Sequence, residues 1–449
     1  TPVKLAEGDK ADNVTKDFTV STANNVSWTS GNSSYLTISG KNASILKSTG
    51  LVLTATKEGY SKKAYLKSNT EATAIGSSTS PLTIENESEL KAFRDAVNNY
   101  GVYKGCANYD GFKGVHFKVS IDIALTDWTE PIGVHNSFKG VFDGNHRTIS
   151  NININQTSVS NIGGLFGCAS FGSIENLKIT GNVNGAQSVG GLCGLTFAET
   201  IKNCEINCTV STGGKNQCGG IVGVDKGYSN ITKCKNLGSV SGFRYIGGII
   251  GRCNHNAQIS ECINKGDISS TSNKTADDIG GICGNIANSN CSFDYCENYG
   301  AISLSLKNGG GIVGSLDTGF EGCSITNCIN YGEITGSAIG GIIGQNNGTI
   351  TIDKCLNIGS VSGGNGIGNG TSVSNCFNAG IANNAIAPSG VTNCINVGDV
   401  TTVPAGCLYD NQLLSGSGAG SGLKTSQMVG TALQETLGTA DWTYTDNMY

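Results

Sequence analysis

Apolar and polar positions alternate in short runs along most of this chain, and the runs recur at nearly fixed spacing. A Gly-Gly-apolar-apolar-Gly element appears as "GGLFG" from Gly163, "GGLCG" from Gly190, "GGIVG" from Gly219, "GGIIG" from Gly247, "GGICG" from Gly280, "GGIVG" from Gly310 and "GGIIG" from Gly340. An apolar-x-x-Cys step follows, as in "ITKC", "ISEC" and "ITNC", and then Cys-x-Asn-x-Gly-x-Val/Ile. That last segment has a period of two, the signature of a strand, and helical periodicity is missing from it. A repeat of 20–50 residues made of short strands predicts a β-solenoid, whose units bury their apolar faces only by stacking. The expected fold is therefore all-β: a right-handed parallel β-helix over 151–400, with each repeat position forming a column along the axis.

Two columns stand out. Cys204, Cys234, Cys262, Cys296, Cys328, Cys355, Cys376 and Cys394 share one position at gaps of 18 to 34 residues, and Leu177 holds that position in the first repeat. A cysteine that alternates with leucine behaves as a small buried hydrophobe. The expectation is stacked free thiols, with one or more disulfides as the alternative. Asn236, Asn264, Asn298, Asn330, Asn357, Asn378 and Asn396 form the second column. Asparagine suits a left-handed bend, and stacked amides can hydrogen-bond from rung to rung. Both columns are read as structural ladders.

The flanks differ in texture. Residues 1–69 hold short alternating runs such as "VSWTS" and "LVLTATKEGY", which predict a small antiparallel sandwich with Trp28 in its core. Residues 70–80 read as a polar linker. In 81–150, "NESELKAFRDAVNNYG" predicts a helix with Asn86 and Glu89 as a capping box, Leu90, Phe93 and Val97 on one face, and Gly101 as the stop. This helix is expected to cap the solenoid above its first irregular coils, because an open sheet edge invites aggregation. Residues 401–449, with the spacer "SGSGAGSG" and Trp442, are expected to form the C-terminal cap.

Composition narrows the function. Of 449 residues 66 are glycine, charged residues make up 14%, and net charge is −5. No basic stripe favours nucleic acid. No apolar run reaches the ~18 residues of a membrane helix. The opening "TPVKLAEGDK" has no signal-peptide pattern and reads as a trimmed start. No CxxC occurs among the 18 cysteines. Neither a metal nor a cofactor is expected, and a monomer is.

The ordered set of helix, "DIALTDWTEPIG", "FKGVFDGNHRTISNI" and repeated "GGIVG…ITNC" resembles the GLUG-motif β-helix proteins of bacterial surfaces. The N-terminal segment resembles a bacterial immunoglobulin-like domain. The resemblance spans about residues 81–449 and implies export to the cell surface, often on an outer-membrane lipid anchor, and an adhesin-like role without defined catalytic residues. Similar repeats accompany immunoglobulin-A-cleaving zinc peptidases. Their HExxH is absent here, since none of His116, His135, His146 and His255 has a partner four residues away.

Three functions remain open at this stage: a surface adhesin, a polysaccharide lyase or glycosidase, and a passive spacer. For the enzyme, the densest set is Asp143, His146 and Arg147, which reads equally as an Asp-Gly turn with solvated neighbours. Asp277 and Asp278 lack a Ca²⁺-loop pattern, and Glu321 stands alone. For binding, the variable loops beside each Gly-Gly strand carry Phe171, Phe197, Tyr228 and Phe320, with Phe243, Arg244 and Tyr245 before the glycines. Aromatic faces with polar neighbours suit a glycan or a protein partner.

Overall fold

A computed structural model describes residues 76–428 apart from short segments at 157–161, 186, 214–216, 272–277, 385, 388–389, 413–416, 419 and 425–426. Before residue 76 it describes six strands, which pair antiparallel as two three-stranded sheets. The side chain of Trp28 and all of residues 429–449, Trp442 included, lie outside the described residues.

From Leu82 onward the chain is a parallel β-solenoid with three faces. One coil shows the plan. Ile250–Cys253 lies on the first face, a 7-stranded sheet. The chain turns at Asn256 (φ 53) into Gln258–Ser260 on the second face, a 12-stranded sheet. It turns again at Glu261 (φ 52) into Ile263–Asn264 and Ile268–Ser270, which belong to a 23-stranded sheet. Ile279–Gly280 then leads into the next coil. Register on the second face stacks Phe117, Phe142, Ile174, Ile201, Ile231, Ile259, Phe293, Ile325, Ile352 and Val373 in one inward column. Alternation therefore does what the period of two requires, sending every second side chain into a shared core.

The asparagine column lies inside this core, each member fully buried. Up to Asn378, each Nδ2 donates to the Oδ1 of the next coil's asparagine: Asn236 to Asn264 at 2.8 Å, Asn298 to Asn330 at 2.9 Å, Asn378 to Asn396 at 2.7 Å. The second amide hydrogen goes to the carbonyl of the glycine two residues on, 2.9 Å away in Gly238. These asparagines sit in strands and not in the bend expected of them. The left-handed residue is the one before each cysteine of the column, such as Asn203, Lys233, Tyr295 or Asn375. A strand conformation is needed because only an inward side chain can meet its neighbour one rung away. The ladder also explains the paired glycines. A Cβ on Gly248 would overlap the Asn264 amide carbon and the Gly281 carbonyl oxygen.

The cysteine column is equally buried, with Leu177 in register at its start, and all eighteen cysteines stand as free thiols. Cys204 Sγ donates to the Lys202 carbonyl at 3.4 Å, and Cys234 Sγ to the Thr232 carbonyl at 3.3 Å.

The helix Glu87–Asn98 begins at Asn86, whose Oδ1 accepts the Glu89 N–H at 2.9 Å. Its left-handed terminus falls on Tyr100 (φ 51), one residue before the glycine expected to stop it. Gly101 instead closes the helix by donating to the Ala96 carbonyl at 2.8 Å. Phe93 enters an aromatic cluster, with ring centroids 4.6 Å from Phe117 and 5.7 Å from Phe142. Burying that ring contributes about 2–3 kcal/mol and seals the first coils. Those coils are regular on the second face, where Leu82–Ile84, His116–Val119 and Val141–Asp143 pair in parallel. At the other end the strands run on past residue 400: Cys407–Asp410 pairs with Cys394–Asn396, and Ser421–Leu423 with Cys407–Asp410. Ser417–Gly418 also pairs, with Val400–Val403. The "SGSGAGSG" stretch thus contributes strands where a spacer was expected.

Candidate ligand-binding surfaces

At the corner between the first and second faces, each coil must reverse in a few residues. Left-handed backbone at Phe171 (φ 58), Ala198 (φ 49), Tyr228 (φ 64), Asn256 (φ 53) and Asn290 (φ 61) makes the turn. That conformation is unfavourable for bulky side chains and common for asparagine. The corner nonetheless carries an aromatic row. Phe171 and Phe197 meet edge-to-face with centroids 5.1 Å apart, and Phe197 meets Tyr228 the same way at 6.2 Å. Phe171 is 55% exposed and Tyr228 58%. The rings stand at 81° and 83° to one another, so they do not cover each other's faces as a flat stack would.

Beneath this row the core turns polar. Thr196 and Asp225 are in register on the first face, pointing inward. Asp225 Oδ1 accepts from Thr196 Oγ1 at 3.1 Å and from Ser229 Oγ at 2.6 Å. Glu199 Oε2 accepts the Gly172 N–H at 2.9 Å, and the Glu199 N–H donates to Ser229 Oγ at 3.2 Å. The other oxygens, Glu199 Oε1 and Asp225 Oδ2, have no hydrogen-bond partner. Burial raises the Glu199 carboxyl to about 8, against the pull of the Gly172 hydrogen bond, and raises Asp225 as well. With both residues 1% exposed or less, this pair is out of reach of a substrate and is not a glycosidase couple. Neither residue had a signal in the sequence, because each occurs once at a position that other coils fill differently.

The remaining sequence candidates separate. Tyr245 is buried, held between Arg244 and Arg252 at 4.3 and 4.7 Å from its ring centroid. Arg244 Nε lies 3.3 Å from Asp278 Oδ2, and Arg252 Nη2 lies 3.3 Å from Asp317 Oδ2. Asp278 also accepts from Asn308 at 2.9 Å, so it serves this network; Asp277 lies outside the described residues. Phe320 is half-buried against the core, and Phe243 is half-buried with no part in the aromatic row. Asp143 Oδ1 accepts from the Asn145 N–H at 2.8 Å and from Asn176 Nδ2 at 3.0 Å, closing a turn. His146 and Arg147 are exposed beside it, and Glu321 is exposed elsewhere. Among the described residues no group of three His, Cys, Asp or Glu is placed to hold a metal, and no helix is long and apolar enough to cross a membrane.

One surface was missed from the sequence. On the third face the residues between the fixed Cys, Asn and Gly point outward, and Tyr299, Tyr331 and Ile358 among them are large and exposed, with Tyr295 before Cys296 and Ile381 after Gly380 exposed beside them. Tyr299 and Tyr331 stack at 4.4 Å with planes 8° apart. The signal is present in "CENYG", "CINYG" and "CLNIG", at the variable position between the fixed Asn and Gly.

No family model matches the chain, so the GLUG-type resemblance is not reproduced at that level. Halomucin of Haloquadratum walsbyi (strain DSM 16790 / HBSQ001) is 29% identical over 187 residues, which is 38% of this chain and 2% of that protein. A candidate immunoglobulin A1 protease from Bacteroides ovatus has a structure similar at a TM-score of 0.43 and 20% identity, over 65% of this chain and 80% of that one. A second structure, an IgA1 protease, gives a TM-score of 0.35 and 14% identity over 89% of this chain and 28% of its own.

Proposed function

We propose that this is a non-catalytic, adhesin-like cell-surface protein of the GLUG β-helix type, which binds a glycan or protein polymer along the corner formed by Phe171, Phe197 and Tyr228. The observation that carries the reading is a row of aromatic rings on successive coils, exposed at Phe171 and Tyr228 and half-buried at Phe197 between them. At two of these turns the ring sits in left-handed backbone, where later coils use asparagine. The fold accepts Asn256 and Asn290 there, so the aromatic residues are not required by the turn. A backbone conformation unfavourable for its side chain points to selection for something other than stability. Rings at coil spacing suit a repetitive ligand, because linked weak contacts reinforce one another. The likeness to halomucin supports an extracellular setting. An outer-membrane lipid anchor is part of the same proposal and rests on the sequence resemblance.

The test is a glycan and matrix-protein array probed with the full chain. The best ligand is then titrated against the Phe171→Asn, Phe197→Ala, Tyr228→Asn variant. Binding should weaken by roughly tenfold or more, as expected when the exposed aromatic anchors of a contact are removed, with the melting midpoint unchanged. Unaltered affinity, or a loss of stability in place of a loss of binding, rejects this corner. Cleavage of an acidic polysaccharide would favour the enzyme reading, and silence on every array would favour a spacer.

A further inference from the structure

The third face changes character along the axis. Its first outward column runs, in register, Lys178, Glu205, Lys235, Ile263, Glu297, Ile329, Leu356 and Phe377. The next outward column holds the residue after each ladder position: Thr180, Asn207 and Leu237 early, then Lys265, Tyr299, Tyr331 and Ile358. In the early coils the first column is charged, with Lys178 3.9 Å from Glu205, and the second mixes Thr180, Asn207 and Leu237. From Ile329 onward both columns are apolar, with Tyr331, Leu356, Ile358 and Phe377 following. The fold therefore does not require apolar residues there. An exposed patch of this kind, rimmed by polar groups, marks an interaction site.

The rim has one predominant sign. Glu261, Asp267, Asp294, Glu297, Glu333 and Asp399 border the strip, with Lys265 and Lys354 among them and Lys233 and Lys235 at its early end. At its early end lies an open depression of ≈ 620 Å³ lined by Ser260, Glu261, Ile263, Asp294, Tyr295 and Glu297. The chain already shows what this chemistry accepts. Lys265 Nζ sits 5.5 Å from the Tyr299 ring centroid, and Lys233 Nζ sits 3.5 Å from Glu261 Oε2.

We propose that this strip docks a basic amphipathic helix of a partner protein, laid along the solenoid axis with its apolar stripe on Ile329, Tyr331, Leu356, Ile358 and Phe377 and a cationic side chain in the depression beside Tyr295. The pitch of a helix, ~5.4 Å per turn, nearly matches the ~4.8 Å between stacked strands. Successive turns therefore meet successive coils. An extended strand lying the same way would present same-side residues ~6.6 Å apart and fall out of step. A carbohydrate is disfavoured on this strip, because Tyr299 and Tyr331 cover each other's faces and Lys265 lies over Tyr299. The proposal is independent of the corner formed by Phe171, Phe197 and Tyr228.

The experiment titrates the full chain with two fluorescent fifteen-residue helices, one of leucine and lysine and one of leucine and glutamate, at several salt concentrations. The basic helix should bind and the acidic one should not. Ile329→Thr with Ile358→Thr keeps β-branched residues at both sites, and Thr180 stands in the column of Ile358. This pair should weaken the basic helix roughly tenfold, as expected for removing buried apolar anchors. Glu261→Gln with Glu297→Gln should weaken it severalfold and flatten its salt dependence, whereas Glu175→Gln with Glu205→Gln in the early coils should change neither. Equal binding of both helices, or unchanged affinity in the threonine variant, overturns the proposal. So does a dimer of the chain in solution that the threonine variant abolishes, since the strip would then be a self-interface.

Discussion

Glu199 makes the stability of this solenoid depend on pH in a direction opposite to that of most carboxylates. Its carboxyl titrates near 8 in the folded protein against an ordinary value of 4.5, raised by burial. Between those values the unfolded chain has lost the proton while the folded chain keeps it. The folded state then binds one proton more, and stability falls by ~1.4 kcal/mol for each unit of rising pH. Over the roughly 3.5 units involved, the penalty grows from nothing below the unfolded pKa to about 4–5 kcal/mol near pH 8. Above that pH both states are ionised and the loss levels off. Asp225 is shifted in the same direction by burial and adds to the slope.

Glu199→Gln tests this directly. The amide is neutral at every pH, and its oxygen can still accept the Gly172 N–H. Its NH₂ gains no assured partner at the Oε1 position, which costs about 1–3 kcal/mol but does so equally at pH 5 and pH 8. The informative quantity is therefore the slope. Urea unfolding midpoints measured at pH 5, 6, 7 and 8 should fall steadily for the natural chain and much less for the variant. The variant should gain about 3–4 kcal/mol relative to the natural chain on going from pH 5 to pH 8, as the linkage relation requires. A natural chain with a flat profile over this range refutes the reasoning, as does a variant with an undiminished slope.

Two further outcomes follow from the inward columns. Asn298→Ala removes the acceptor of Asn264 and the donor to Asn330 and Gly300, so unfolding should become easier by about 3–5 kcal/mol, the sum of several buried groups left unpaired at about 1–3 kcal/mol each. Asn298→Asp should cost more, because a carboxylate has no hydrogen to give Asn330 Oδ1; equal midpoints in urea would show that the ladder is dispensable. The sixteen buried thiols should resist alkylation in the native state and react after denaturation, since the closed core keeps the reagent out, and burial raises Cys208 to about 12. Mass spectrometry that finds Cys234 or Cys328 modified in native protein would count against a closed core.

The solenoid was legible because close packing is written repeatedly. A column that must fit between two copies of itself admits few residues, and "GGIIG" with Cys-x-Asn-x-Gly records that restriction in every coil. Conformation was less legible. Asparagine serves both as a ladder in a strand and as a left-handed turn, and spacing alone does not distinguish these uses. The turn belongs to the residue before cysteine, where Lys233, Glu261, Tyr295 and Asn327 share a backbone and no chemistry. Glu199 and Asp225 were invisible for a related reason. Their columns hold Gly172, Ser229 and Cys291, or Thr196, Cys253 and Ile286, so a lone carboxylate gains meaning only once register shows that it points inward.

The outward columns follow the opposite logic. A side chain that faces water is constrained by neither the rung above nor the rung below, so its identity is free to vary from coil to coil. Where it varies without order, as from Lys178 to Lys235, solvation explains it. Where it keeps one chemistry over several coils, something outside the ladder has to account for the persistence. That condition is met twice, by the aromatic corner from Phe171 to Tyr228 and by the apolar strip from Ile329 to Phe377. The two stretches occupy different coils and different sides of the solenoid. A polymer on the first and a helix on the second would each contact residues the other does not touch, and contacts that share no partner contribute independently. On the two proposals the solenoid supplies the rigid spacing, and recognition is assigned to those few outward positions where the residue type persists without a packing reason.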